Sequence, residues 1–208
     1  MKSEPVCPRC FARTLPPDLM SSEWRCATHG EVAPYHRALA EPERVLDMLP
    51  GRSRVPVWMP DPMPVNWYPS GIAWAGDERT GARAVALAAT GPSPVGGPGD
   101  LVLVADEPGV GLGASLAGLR GPGADGVASR PEAKVEAAGH QTPLWPVASP
   151  PDRAGFVGEA LGVWLWVILW PADAALLLLE DLVILDRRDA PEGGDPPMFG
   201  AASPYLGV

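Results

Sequence analysis

Residues Leu161 to Leu185 read LGVWLWVILWPADAALLLLEDLVIL. The fold turns on whether this stretch is one membrane span or several buried elements. Its longest uncharged run, Leu161 to Ala172, is 12 residues and contains Pro171, and Asp173, Glu180 and Asp181 interrupt the remainder. A spanning helix needs about 20 consecutive apolar residues, so no membrane span is expected. The stretch reads instead as buried strands: Val163–Trp170 and Ala175–Leu179, turning at Pro171-Ala172-Asp173, with Leu182–Asp186 after them.

Upstream, short apolar runs alternate with Gly/Pro punctuation. Gly71–Ala75, Ala82–Thr90 and Leu101–Ala105 read as strands, and Ala133–Ala138 as a strand or short helix. GPSPVGGPG (91–99) and residues 121–129 read as loops. Ala38–Leu49 predicts a short helix with Val45, Leu46, Met48 and Leu49 on its apolar edge, and a helical turn or two is expected around Ala114–Leu119. VPVWMPDPMPVNWYP (55–69) carries five prolines and must be extended or turn-like. The 24 Gly and 27 Pro of the 208-residue chain favour short elements and many turns.

Ahead of all this stands Cys7-Pro8-Arg9-Cys10, followed after 15 residues by Cys26-Ala27-Thr28-His29. A C-x-x-C loop turns both sulfurs toward one point, and a second knuckle of the same size completes a tetrahedron, with neutral imidazole serving as the fourth ligand. Pro8 stiffens the first knuckle, Gly30 permits a tight turn after the second, and Trp24 shares a strand side with Cys26. The alternative is a redox pair, which needs the cysteines at a strand end entering a helix, and Phe11 to Pro17 do not read as a helix. The expectation is a structural Zn2+ held by Cys7, Cys10, Cys26 and His29, with His36 as a possible substitute for His29. Three thiolates and an imidazole close the shell, which argues against chemistry at the metal.

The fold class expected is therefore α+β, with a small N-terminal zinc ribbon followed by a β-rich body carrying one or two short helices. The divisions are a metal module at 1–37, a helix and Pro/Trp-rich connector at 38–69, the body at 70–188 and a flexible tail at 189–208, with Phe199 and Tyr205 as its docking points.

The net charge of −9 is uneven: residues 1–54 carry eight basic and seven acidic side chains, the remainder eight and 18. An acidic body without a Lys/Arg stripe argues against nucleic acid as a partner. The three cysteines all lie within the first 26 residues and cannot staple the body, and Met1-Lys2-Ser3-Glu4-Pro5 enters CPRC without an apolar segment, so a cytoplasmic setting is expected.

Other signals are weaker. Gly109-Val110-Gly111-Leu112-Gly113-Ala114 follows a strand and aligns with a nucleotide-binding glycine fingerprint, but Asp106-Glu107 place carboxylates where a phosphate would arrive. Ser115 lies one residue off a nucleophile elbow, and His140 is the only histidine of the body. Asp77-Glu78 and Glu180-Asp181 are adjacent pairs whose members face opposite ways on a strand, and the tryptophans, Trp164 and Trp166 above all, read as core.

Taken in order, CPRC, EWRCATHG, VPVWMPDPMPVNW, GIAWAGDERTGARAVA, DLVLVADEPGVGLGASLAGL, AKVEAAGHQTPLW and GEALGVWLWVILWP resemble an uncharacterised family of actinobacterial proteins over nearly the whole chain. Similar proteins sometimes carry the label phosphotransacetylase. Residues 5–36 resemble zinc-ribbon and rubredoxin-like knuckle modules, which implies a structural or contact-making role. The expected function is non-enzymatic: binding a protein partner through the ribbon or the stretch 55–69. The alternative is an enzyme or small-ligand sensor, such as an acyl- or phosphate-handling transferase, using Gly109–Ala114 and His140 of the body.

Overall fold

The computed structural model describes residues 4–19, 21–123, 127–189 and 197–207. Parts of the expected 121–129 loop and of the expected tail, residues 124–126, 190–196 and 208, lie outside them. A two-stranded hairpin, β1 (Arg25–Cys26) and β2 (Gly30–Glu31), stands beside one ten-stranded sheet. In chain order the sheet strands are β3 (Tyr35–Arg37), β4 (Trp58–Pro60), β5 (Tyr68–Asp77), β6 (Gly81–Pro92), β7 (Pro98–Asp106), β8 (Ala133–Ala137), β9 (His140–Pro146), β10 (Ala154–Ala160), β11 (Val163–Trp170) and β12 (Val183–Asp186). Among the described residues α-helix is confined to α1 (Pro42–Met48) and α2 (Leu112–Leu116). Neither is long and apolar enough to cross a membrane.

The strands lie in the order β3-β5-β6-β7-β11-β10-β9-β8-β12-β4, antiparallel except for the β8–β12 pair. The far end folds back so that β4 packs against β6 and β7. Both faces of the central strands are therefore covered, which is why they read as continuous apolar runs rather than as alternating ones. Period-two alternation survives as a difference in size. Ile72, Leu87, Leu103, Leu165 and Val167 face the enclosed core with Trp58, Trp67 and Leu46. Ala73, Ala75, Ala84, Ala86 and Ala88 face the other way, where the small side chains let α2, Tyr35 and Leu206 approach closely around Val104, Trp166 and Ile168.

Two expectations are corrected. Residues Ala172–Leu179 are a 3-10 helix, not a strand of a hairpin. The buried residues Ala174, Leu177 and Leu178 recur at intervals of three and four, and ADAALLLL has no β-branched residue, whereas VWLWVILW has three. The loop expected at 91–99 is also shorter, because Gly91 pairs with Gly99 and Pro92 with Pro98. Gly91 is required there: a Cβ would fall 2.3 Å from Cγ of Trp67.

The C-terminal segment is joined to this frame. Tyr205 stacks on Trp170 with ring centroids 4.4 Å apart, Leu206 is buried, and Phe199 packs against the enclosed core.

Candidate metal centre

The first knuckle is a tight turn over residues 8–10, closed by the Phe11 amide donating to the Cys7 carbonyl at 2.8 Å and the Cys7 amide donating to the Ala12 carbonyl at 2.8 Å. The second knuckle is the turn of the β1–β2 hairpin, with Cys26 paired to Gly30 across it. Gly30 sits at φ +68° with open space around it, so its glycine is needed for conformation and not for room.

These two turns bring Cys7, Cys10, Cys26 and His29 together, their ligand atoms all within 4.8 Å of one another. Sγ of Cys10 and Cys26 are 3.7 Å apart, and Nδ1 of His29 is 3.5 Å from Sγ of Cys7 and 3.7 Å from that of Cys26. A tetrahedral ion bonded at about 2.3 Å to sulfur and about 2.0 Å to nitrogen sets edges of about 3.8 Å between sulfurs and about 3.5 Å from sulfur to nitrogen. The cluster fits that figure and could hold a metal ion. His36 stands outside it, stacked on Trp74 with centroids 5.3 Å apart.

The two buried thiols differ in acidity. Burial pushes the Cys7 thiol up to about 12, against the amides of Arg9 and Cys10. Burial also opposes a charge on Cys26, but the amides of Thr28 and His29 and the His29 ring outweigh it and bring that thiol down to about 6.

The knuckles are fastened to the sheet. Val6 and Tyr35 exchange backbone hydrogen bonds of 3.1 and 2.7 Å, and β3 pairs with β5. Phe11 meets Tyr35 edge to face at 5.6 Å, and Glu23 pairs with Arg79 at 2.7 Å. Arg9, lying between the two cysteines of the first knuckle, donates from Nε to the Val110 carbonyl at 3.1 Å and from Nη2 to the Gly109 carbonyl. Ser115 Oγ donates back to the Arg9 carbonyl at 3.3 Å. No sequence pattern signals Arg9, since its partners lie about a hundred residues away.

The glycine loop does not offer a phosphate site. Oδ2 of Asp106 accepts the Gly113 amide at 2.9 Å, so the chain's own carboxylate occupies the place in front of α2. Burial pushes Asp106 up to about 7, against the amides of Gly113, Gly111 and Leu112 and the charge of Arg9. Its Oδ1 is buried without a hydrogen-bond partner.

Beside the loop, a cleft of about 270 Å³ opens between the knuckle region and the body, lined by Arg9, Glu31, Asp77, Arg83, Gly109 and Val110 among others. Asp77 is held by its own turn: burial disfavours its charge, but the Thr80 amide and hydroxyl and the Arg79 guanidinium overcome this and keep it below the usual carboxylate range. Arg83 is paired with Glu107 at 2.8 Å. His140 is exposed at the start of β9, and neither it nor any tryptophan lines the cleft. Glu180 and Asp181 border a separate shallow groove with Met63 and Val65.

No curated protein and no solved structure matches the chain. The hydroxyl of Tyr35, next to the knuckles, donates to the carbonyl of Leu206 at 2.6 Å, so the Cys3His cluster and the C-terminal segment are parts of one structure. A family model spans the same extent, residues 1–206, and the chain belongs to that family of unknown function, DUF6758.

Proposed function

We propose that Cys7, Cys10, Cys26 and His29 bind one structural Zn2+ ion in a ribbon-like module, and that the protein works without catalysis by presenting this module to a protein partner. The match between the sulfur and nitrogen separations and the edges of a tetrahedral site carries the reading. Thiolate and imidazole in tetrahedral array suit zinc, and four protein ligands leave no open position for substrate. Between the knuckles there is almost no apolar core, so the ion supplies much of the folding energy of residues 5–34. Metal analysis of the purified protein is expected to find one zinc per chain, lost when Cys7 and Cys26 are both changed to Ser. A zinc-free wild type, or full zinc in the double variant, overturns the reading. Affinity capture with wild type and double variant side by side then identifies the partner as one retained only by the metal-loaded module.

The cleft beside Gly109 and Val110 favours a second reading, a small-ligand sensor or an acyl-transferring enzyme. Thermal-shift screening with nucleotides and acyl phosphates tests it: stabilisation abolished by Arg83→Ala in the cleft lining supports this reading, and no shift refutes it.

A further inference from the structure

The loop between β7 and α2 is held from two sides by groups of opposite charge. From within the sheet, Asp106 accepts the amide of Gly113. From the metal knuckle, Arg9 donates to the carbonyls of Gly109 and Val110 and takes the hydroxyl of Ser115 on its own carbonyl. The loop is also anchored at its ends, by the Glu107 amide donating to the Arg83 carbonyl at 2.9 Å and by the burial of Val110 and Leu112, but its middle has few bonds of its own. Gly109 and Gly111 sit at φ +90° and +85°, where glycine's wide freedom makes the bend possible but does not enforce it. Within the loop the Val110 amide donates to the Glu107 carbonyl at 3.1 Å, and α2, at five residues, is too short to persist by itself. Between those anchors, the grip that reaches the loop from the knuckle is that of Arg9 on the Gly109 and Val110 carbonyls.

Arg9 is placed by the two residues that flank its turn, Cys7 on one side and Cys10 on the other. With both thiolates on one ion, the intervening backbone is fixed and the guanidinium is aimed at the loop. Without the ion, the turn keeps the Phe11-to-Cys7 and Cys7-to-Ala12 bonds, both of which hold the Cys7 end, while Cys10 is exposed and loses its tie to the other knuckle. Pro108, Gly109 and Val110 form one wall of the cleft, and Arg9 joins them.

We infer that metal occupancy at the Cys3His cluster is transmitted through Arg9 to residues 107–113, so that the ion holds the glycine loop and one wall of the cleft in place. This inference rests on the metal reading above. Its chemistry is a relay: ligand bonds fix a turn, the turn fixes a cation, and the cation fixes two carbonyls.

Amide hydrogen exchange on the full chain tests it, with zinc content measured on each sample. In the zinc-loaded wild type, the amides of Val110, Gly113, Ser115, Ala117 and Leu119 are protected by the bonds they make. Removing zinc with a chelator is expected to speed exchange in peptides covering 107–119 by about 10- to 100-fold, the range for losing charge-assisted hydrogen bonds, while β6, β7 and β11 stay protected as an internal check on folding. Arg9→Ala, with zinc still bound, is expected to reproduce the loss at 107–119, and Arg9→Lys to restore it only in part, because an ammonium cannot copy the two-pronged guanidinium. Wild-type protection at 107–119 in zinc-loaded Arg9→Ala, or after chelation that deprotects only residues 5–34, overturns the relay and leaves the metal site standing. A wild type with no zinc overturns both, and the metal measurement tells the two failures apart. If chelation unfolds the sheet as well, zinc-loaded Arg9→Ala decides alone.

Discussion

Gly113 is where the helix, the sheet and the buried carboxylate meet, so adding one methyl group there has a calculable cost. A Cβ built on Gly113 falls 2.1 Å from Cδ1, 2.3 Å from Cγ and 2.5 Å from Nε1 of Trp166. Trp166 has no exposed surface and sits mid-strand in β11, hydrogen-bonded between β7 and β10, so it cannot retreat. α2 must lift by more than about 1 Å to restore ordinary van der Waals contact. Overpacking of this kind costs about 1–3 kcal/mol. Lifting α2 also breaks the 2.9 Å bond from the Gly113 amide to Asp106. Above about pH 8, where Asp106 is ionised, this is a bond to a charged group and contributes about 1.5–3 kcal/mol. Against this, alanine's better helix propensity returns at most about 1 kcal/mol. Gly113→Ala is therefore expected to destabilise the protein by roughly 2–5 kcal/mol, or about 6–12 °C in Tm near the middle of that range for a chain of this length. Urea and thermal unfolding followed by tryptophan fluorescence, on samples of matched zinc content, measure both quantities. Gly51→Ala is the control, since nothing lies within 4 Å of its added Cβ, and it is expected to stay within about 0.5 kcal/mol of wild type. Equal behaviour of the two variants, or a stabilised Gly113→Ala, would refute the packing argument.

Asp106 gives a pH signature. Burial raises its carboxyl to about 7, while in the unfolded chain it titrates near about 3.9, so the folded state keeps a proton that the unfolded state has released. Stability should fall as pH rises from about 4 through about 7 and level off above, and Asp106→Asn should flatten that slope; parallel pH profiles for the two proteins count against the assignment. Tyr35→Phe removes the 2.6 Å bond to the Leu206 carbonyl and leaves that acceptor buried, which is expected to cost about 1–2 kcal/mol in urea unfolding, an unchanged midpoint being the contrary result. His29→Ala should weaken retention of zinc against a competing chelator, whereas His36→Ala should leave it at the wild-type level; the reverse ranking would move the fourth ligand from His29 to His36.

Much of the fold and the cluster is legible in the sequence, and for identifiable reasons. The four clustered residues announce themselves because each knuckle is local: a ligand pair two residues apart has few ways to turn. β5, β6, β7 and β11 read as strands because apolar runs bounded by Gly and Pro leave little else to form. Ala175–Leu179 reads wrongly as a strand because four consecutive leucines show no alternation, and the helical spacing emerges only in which residues are buried. Arg9 and Asp106 are opaque for a different reason. The first acts across about a hundred residues. The second, beside the glycine loop, reads in sequence as a reason for phosphate to stay away. Its carboxyl is in fact the group that takes the α2 amide.

The bonds between Val6 and Tyr35 carry one more consequence. β3 is the last strand at its end of the sheet, and the outward-pointing amide and carbonyl of Tyr35 are those that Val6 takes up, one residue before the first cysteine. An open strand edge is a template for another chain. Val6 therefore works as a stopper on that edge, denying the free groups of Tyr35 to another chain. On the zinc reading proposed above, stripping the ion is expected to be a solubility event as much as a folding one, read as light scattering that grows with protein concentration.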